Sequence, residues 1–202
     1  MGTHRPSFRP ALVGFIVALA VVASCSVGGN IELDDIGARL HYPAGWRDVP
    51  LADVRSSIET SLPNTRGDVT EAFTTVLEEI DRGDVRAVLF SDRTSDGFTE
   101  TVFVIVEDAD ADLDAAAARR LAYVSQIAVP IQDDVGEVDL PIGPARRVEA
   151  FTEPSGGSPS HLIEYVVLLP DGRTLTLSGT GPSTDEGFSD VMKALAESLE
   201  AT

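Results

Sequence analysis

The sequence predicts an α+β domain in which an antiparallel sheet carries helices. Three observations predict it. The turn signals Ser95-Asp96-Gly97 and Pro170-Asp171-Gly172 each join two apolar, strand-like runs, as hairpins do. Segments 68–81, 113–129 and 184–200 carry apolar residues at helical spacing. Along the chain the order is strands, helices, a hairpin, a helix, four strands and a helix.

Each element has a local reason. Ile31–Leu33 and Ala38–Tyr42 read as short strands around the acidic turn Asp34-Asp35-Ile36-Gly37, and Pro43-Ala44-Gly45-Trp46 ends the second strand with a turn. Leu51–Leu62 is a weaker helical segment. In Asp68–Asp81, Val69, Phe73, Val76, Leu77 and Ile80 form one apolar helix face. Val85–Phe90 and Thr101–Val106 are the strands of the first hairpin. The helix Leu113–Val129 presents Leu121, Val124 and Ile127 on one face, and Pro130 stops it. Val135–Leu140 and Ala145–Phe151 read as strands interrupted by Pro141-Ile142-Gly143-Pro144. His161–Leu169 and Arg173–Ser178 form the second hairpin, and Gly179-Thr180-Gly181 reads as a turn into the last helix. Ser183 with Glu186 matches a capping box, and Phe188, Val191, Met192, Leu195 and Leu199 form the buried face behind it.

The opening strand that ends in Tyr42-Pro43-Ala44-Gly45-Trp46 and the Pro141-Ile142-Gly143-Pro144-Ala145 turn belong to a pattern. With the mid-chain hairpin, its following helix, and the closing hairpin and helix, they resemble the Mog/PsbP-like superfamily over residues 31–201. Within it the pattern is similar to the actinobacterial lipoproteins of the LpqN/LpqT group. The resemblance implies an α/β/α sandwich used for protein–protein contacts, without a shared catalytic centre. It carries over no site residue.

The first 24 residues are a separate unit. They hold Arg5 and Arg9, no acid, and an apolar run Ala11–Ala23 of 13 residues. This is the layout of a secretory signal, and it is shorter than the roughly 20 residues that span a bilayer. Val22-Ala23-Ser24-Cys25 resembles the lipobox of bacterial lipoproteins, in which the cysteine is acylated and becomes the first residue of the mature chain. The expected organisation is a signal peptide at 1–24, a lipidated cysteine and short tether at 25–30, and one domain at 31–202. The expected address is the extracytoplasmic face of the cell membrane, because two acyl chains anchor stably where one does not. Cys25 is the only cysteine, so an internal disulfide and a thiolate metal cage are both excluded.

The chain of 202 residues has a formal charge of −18. Cleavage before Cys25 loses two arginines and no acid, which makes the mature charge −20. Only Lys193 among its cations is lysine, and this Arg-, Ala- and Asp-rich style is that of a GC-rich bacterial genome. So acidic a chain is a poor nucleic-acid binder, because phosphate contacts need lysine and arginine. It suits a basic protein partner instead.

No catalytic or cofactor motif emerges. Asp108, Asp110, Asp112 and Asp114 alternate like calcium ligands, but the sixth and twelfth positions of an EF-hand loop fall on Leu113 and Arg119. The acids are better read as capping the following helix. His41 and His161 lie in strand-like runs without metal-ligand spacing. Trp46 is expected to pack at a sheet edge. The polar stretch 153–160, with Glu153, Ser155, Gly156, Gly157 and Ser158, is the candidate contact loop. The expected function is therefore a non-enzymatic, lipid-anchored binding module. The alternatives are a carrier with an apolar cavity and an envelope hydrolase built on paired carboxylates.

Overall fold

Strand β1 (Gly29–Leu33) pairs antiparallel with β2 (Ala38–Tyr42), as the acidic turn between them requires. The chain then enters a second sheet through β3 (Trp46–Asp48) and crosses one face as α1 (Leu51–Ser61) and α2 (Asp68–Arg82). It continues as the hairpin β4 (Val85–Ser95) and β5 (Phe98–Glu107), then α3 (Leu113–Ile127). Next come β6 (Val129–Pro130), β7 (Gly136–Leu140), β8 (Gly143–Thr152), β9 (Ser160–Leu168) and β10 (Thr174–Pro182). Helix α4 (Gly187–Glu197) and β11 (Glu200–Ala201) close the chain. The computed structural model describes residues 27–65, 68–95, 98–108, 112–127, 129–130, 135–152, 160–183 and 187–202.

The large sheet runs β3-β4-β5-β10-β9-β8-β6, with β7 also on β8, and the small sheet runs β1-β2-β11. All the ladders among the described residues are antiparallel. The fold is therefore α+β, in three layers. Helices α1, α2 and α3 cover one face of the large sheet, while α4 and the small sheet cover the other. With both faces covered, β9 and β10 are buried along almost their whole length.

Residue alternation divides these strands between the layers. Ile163, Tyr165, Leu175 and Leu177 join Phe188, Met192 and Leu195 of α4 and Leu40 of the small sheet in the main apolar core. On the other face Val88 and Phe90 pack under α1 and α2, and Val148, Ala150 and Leu162 pack under Val124 of α3. Burial of each large side chain contributes about 1.5–3 kcal/mol.

Several expectations need correction. Gly179-Thr180-Gly181 is not a turn but the last part of β10. The two glycines let α4 lie on the strand, because a Cβ at Gly179 would collide with Met192 and one at Gly181 with Phe188. Helix α3 ends at Ile127, before Pro130, and Pro130 itself pairs with Ala150 as part of an edge strand, a place that tolerates a missing N–H. Trp46 both closes the turn at 43–46, its N–H donating to the Pro43 carbonyl at 3.3 Å, and starts β3 at the edge of the large sheet, where it is 4% exposed as the sequence suggests. Gly172, at φ 90°, makes the tight β9–β10 turn, with its N–H donating to the Leu169 carbonyl at 2.9 Å.

The two ends of the sheet differ in what they hold. Gly29, where the chain joins the fold, lies against Tyr42, and the Asp92 N–H donates to the Gly45 carbonyl at 2.7 Å. The β4–β5 hairpin, the end of β10 and the paired Thr152 and Ser160 lie at this end, the Gly29 end. Thr174, Glu107 and Leu168 are partners at the far end, where Arg173 and Arg86 reach Asp35. A nine-residue strand separates the two ends by about 30 Å.

Candidate functional site

The centre of the α2–α3 face is polar. Thr174, Thr176 and Ser178 alternate with Leu175 and Leu177, so when the leucines enter the main core the hydroxyls face the helices. Glu164 stands directly across from Ser178, and Glu107 directly across from Thr174. Arg120 projects from α3 onto this floor and is 4% exposed, against 0% for Glu164.

Arg120 holds Glu164 at two points. Its Nε donates to Oε2 at 3.0 Å and its Nη2 to Oε1, while Ser178 Oγ donates to the same Oε1 at 2.9 Å. The partly exposed Arg119 donates to Glu107 Oε1 at 2.9 Å, and the other Glu107 oxygen lies 4.0 Å from Arg120 Nη1. The Arg120 guanidinium also sits over the Tyr123 ring, 4.9 Å from its centroid. Burial works against the charge on Arg120 and is outweighed by Glu164, so the guanidinium stays charged. Glu79, on α2, is close enough to Arg120 and Glu107 for their charges to act on it. Its burial is the largest effect on it and pushes its carboxyl above the ordinary range; Arg120 opposes this and Glu107 adds to it. Burial likewise raises the Tyr123 hydroxyl, with Glu79 adding to it. Thr174 Oγ1, Thr176 Oγ1 and Glu107 Oε2 are buried without a hydrogen-bond partner.

A second cluster lies toward the Gly29 end on the opposite face. His161 Nε2 meets Glu149 Oε1, and Arg147 holds the other Glu149 oxygen and reaches Ser189 Oγ of α4 at 3.3 Å. Burial raises Glu149, but the bonds from Arg147 and His161 outweigh it and leave its carboxyl below the usual range. The His161 ring stacks on Phe151 at 4.5 Å and meets Phe188 edge-on at 5.9 Å. Phe151 and Val27 are the large apolar residues most exposed among those described, and both lie toward the Gly29 end.

The residues singled out from sequence fall in various places. Val22, Ala23, Ser24 and Cys25 lie outside the described residues, as do Asp110, Glu186 and the contact loop Glu153, Ser155, Gly156, Gly157 and Ser158. Asp112 caps α3, accepting the Ala115 N–H at 2.8 Å. His41 is in the small sheet, bonded to Asn30, so the two histidines do not converge. Among the described residues no group of three His, Cys, Asp or Glu is placed to hold a metal. Nor is any described helix long and apolar enough to cross a membrane. The buried layer was not anticipated. Its signals were a charged residue in each of two apolar settings, Glu164 inside His161–Leu169 and Arg120 between Ala117 and Val124, and the Thr-x-Thr-x-Ser alternation of β10.

No protein-family model and no curated protein sequence matches the chain. Solved structures do. LpqN, described as involved in cell envelope biogenesis of Mycobacterium tuberculosis, matches with a TM-score of 0.57 at 12% identity, covering 87% of this chain and 90% of that one. Cyanobacterial PsbP from Synechocystis sp. PCC 6803 matches with a TM-score of 0.55 at 14% identity, covering 90% and 99%. The Ran-binding protein Mog1p of Saccharomyces cerevisiae matches with a TM-score of 0.52 at 10% identity, covering 88% and 96%. The domain has the Mog/PsbP-like fold, as the residue pattern implied. At these identities the likeness is one of fold.

Proposed function

We propose that this chain is a lipid-anchored cell-envelope protein that binds a protein partner without chemistry of its own. The observation that carries this reading is the position of the tether. Gly29 follows the acylatable Cys25 by four residues, a reach of at most about 14 Å, so the tether end would sit against the bilayer. The far end, with its acidic loops, would then face outward. Partner binding by Mog1p and the envelope role of LpqN support the reading by analogy of fold. Its charge would steer a basic partner.

The carrier alternative changes character. The α2–α3 interlayer is polar at its centre, which suits a polar ligand better than a lipid. The hydrolase alternative has one observation in its favour, since Glu79 is a raised acid near a second acid, Glu107. Glu107 is nevertheless committed to Arg119, which holds it as an ion-pair partner rather than a nucleophile.

The test is metabolic labelling with a fatty-acid analogue, followed by capture of partners from envelope membranes over a salt series. The reading predicts labelling that Cys25→Ala abolishes and a captured protein that is lost as salt rises. Equal labelling of both proteins would contradict the anchor. Capture indifferent to ionic strength would contradict the steering.

A further inference from the structure

We propose that the domain makes a second contact with the lipid bilayer through Phe151, so that the anchored molecule stands on two points, the acylated Cys25 and this ring. The proposal rests on the lipid-anchor reading and adds to it the surface that the domain turns to the membrane.

Strand register is the first argument. Arg47, Phe90, Thr101, Thr180, Leu162 and Ala150 are successive partners, one row across six strands of the large sheet. Trp46 and Phe151 each stand one residue beyond that row, toward the Gly29 end. Gly28 lies against the backbone of Tyr42, Pro43 and Ala44, just before Trp46. The chain therefore leaves the fold toward Cys25 at the level of Phe151. Five strand spacings, about 24 Å, separate the two corners of this end. Cys25 precedes Gly28 by three residues, a reach of at most about 10 Å, so an anchor there holds this level near the headgroups.

Both corners also lie on the same side of the sheet. The small sheet that carries Gly29 covers the α4 face, and Phe151 stacks on His161, whose ring meets Phe188 of α4. The bilayer would meet the domain along this edge, with the molecule tipped onto its α4 side. The β4–β5 hairpin runs on past this level within the sheet layer, so the tilt carries it clear of the membrane.

Exposure is the second and independent argument. Among the described residues the large apolar side chains left in water are Val27, at 90%, and Phe151, at 36%. One exposed apolar residue is ordinary on a protein surface. Here both stand at the end from which the anchor leaves, and an aromatic ring gains by entering the membrane interface. The cost of bringing Phe151 there is low. Its ring is already fixed on His161, so little rotamer freedom is lost. Glu149, two residues away on the same strand face, is bonded to both Arg147 and His161 and is not carried toward anionic lipid as a bare charge.

The experiment uses the full-length acylated protein in vesicles of phosphatidylcholine and phosphatidylglycerol with brominated acyl chains, which quench tryptophan on contact. Trp46 is the only natural tryptophan and is buried, so the wild type supplies the baseline. Phe151→Trp should lose more than about half of its added emission, and Pro170→Trp, exposed in the β9–β10 turn about 25 Å away, less than about a tenth. Thermal melting checks that each variant keeps the fold. In the unsubstituted chain, a spin-labelled lipid should broaden the amide signal of Phe151 and leave that of Asp171 sharp. Equal quenching at the two positions would overturn the contact. So would an unquenched Phe151→Trp, or a sharp Phe151 amide, in protein that floats with the vesicles, and the anchor would then stand without it. Wild type that does not float with the vesicles would overturn the anchor reading, and the second contact with it.

Discussion

The two faces of the large sheet solve different problems with the same strand. On one face β10 presents Leu175, Leu177, Gly179 and Gly181, and α4 closes down until Met192 and Phe188 touch the glycine backbone. On the other face the same strand presents Thr174, Thr176 and Ser178 under an ion pair. The first arrangement maximises apolar contact. The second keeps charges and unmet hydrogen bonds inside the molecule, which costs stability unless a ligand uses them. One face is closed by apolar packing, and the other is closed around a buried ion pair.

The largest expected break in this contrast is at Glu164. Glu164→Ala leaves Arg120 buried without its counter-charge and should destabilise the protein by about 3–5 kcal/mol. The double change Arg120→Met with Glu164→Leu should recover most of that loss, because an apolar pair of similar volume needs no compensation. Urea unfolding of the two variants checks both statements. If the single and double variants are equally unstable, the ion pair is not what makes this face different.

On the apolar face the expected break is overpacking. Gly179→Ala pushes a methyl group into Met192 and should cost about 1–3 kcal/mol, with α4 displaced. Its amide exchange would show the displacement as faster exchange in 187–197. A Gly179→Ala protein as stable as wild type would mean that α4 is not seated as described. A smaller effect is expected at the helix over the polar face: Asp112→Ala removes the cap on Ala115 and should cost about 1 kcal/mol by thermal melting.

Acid sharpens the comparison, because one carboxyl on each face shifts in opposite directions. Glu149 is held below its ordinary value, so its stabilisation is present above the unfolded carboxylate pKa and is lost as pH falls through the folded value. Glu79 is raised, so the folded state holds more protons than the unfolded one in the window above the unfolded pKa. Its contribution therefore declines as pH rises through that window. Comparing melting temperatures from pH 3 to pH 7, Glu149→Gln should flatten the acid loss and Glu79→Gln should flatten the opposite slope.

Much of the fold was legible because its signals are local. Helix α2 shows its apolar spacing, Pro170-Asp171-Gly172 shows its turn, and the run Thr101–Val106 shows its strand. The errors came where a distant packing partner decides. Gly179 and Gly181 look like punctuation until α4 lies on them. Short edge strands such as Trp46–Asp48 and Glu200–Ala201 exist through their neighbours rather than their own pattern. The candidate site was illegible for the same reason. Arg120 and Glu164 are 44 residues apart, and neither has a motif that announces the other. What the sequence did show was the anomaly of a glutamate inside an apolar strand.

The central claim is that the α2–α3 face buries carboxyls at a cost in stability, where the α4 face is closed by apolar packing. The most direct measurement is to compare Glu79→Gln with wild type at pH 7 by thermal melting. The account predicts that the variant melts higher, because the neutral amide avoids the cost of ionising a carboxyl that burial disfavours. A variant that melts lower would contradict it.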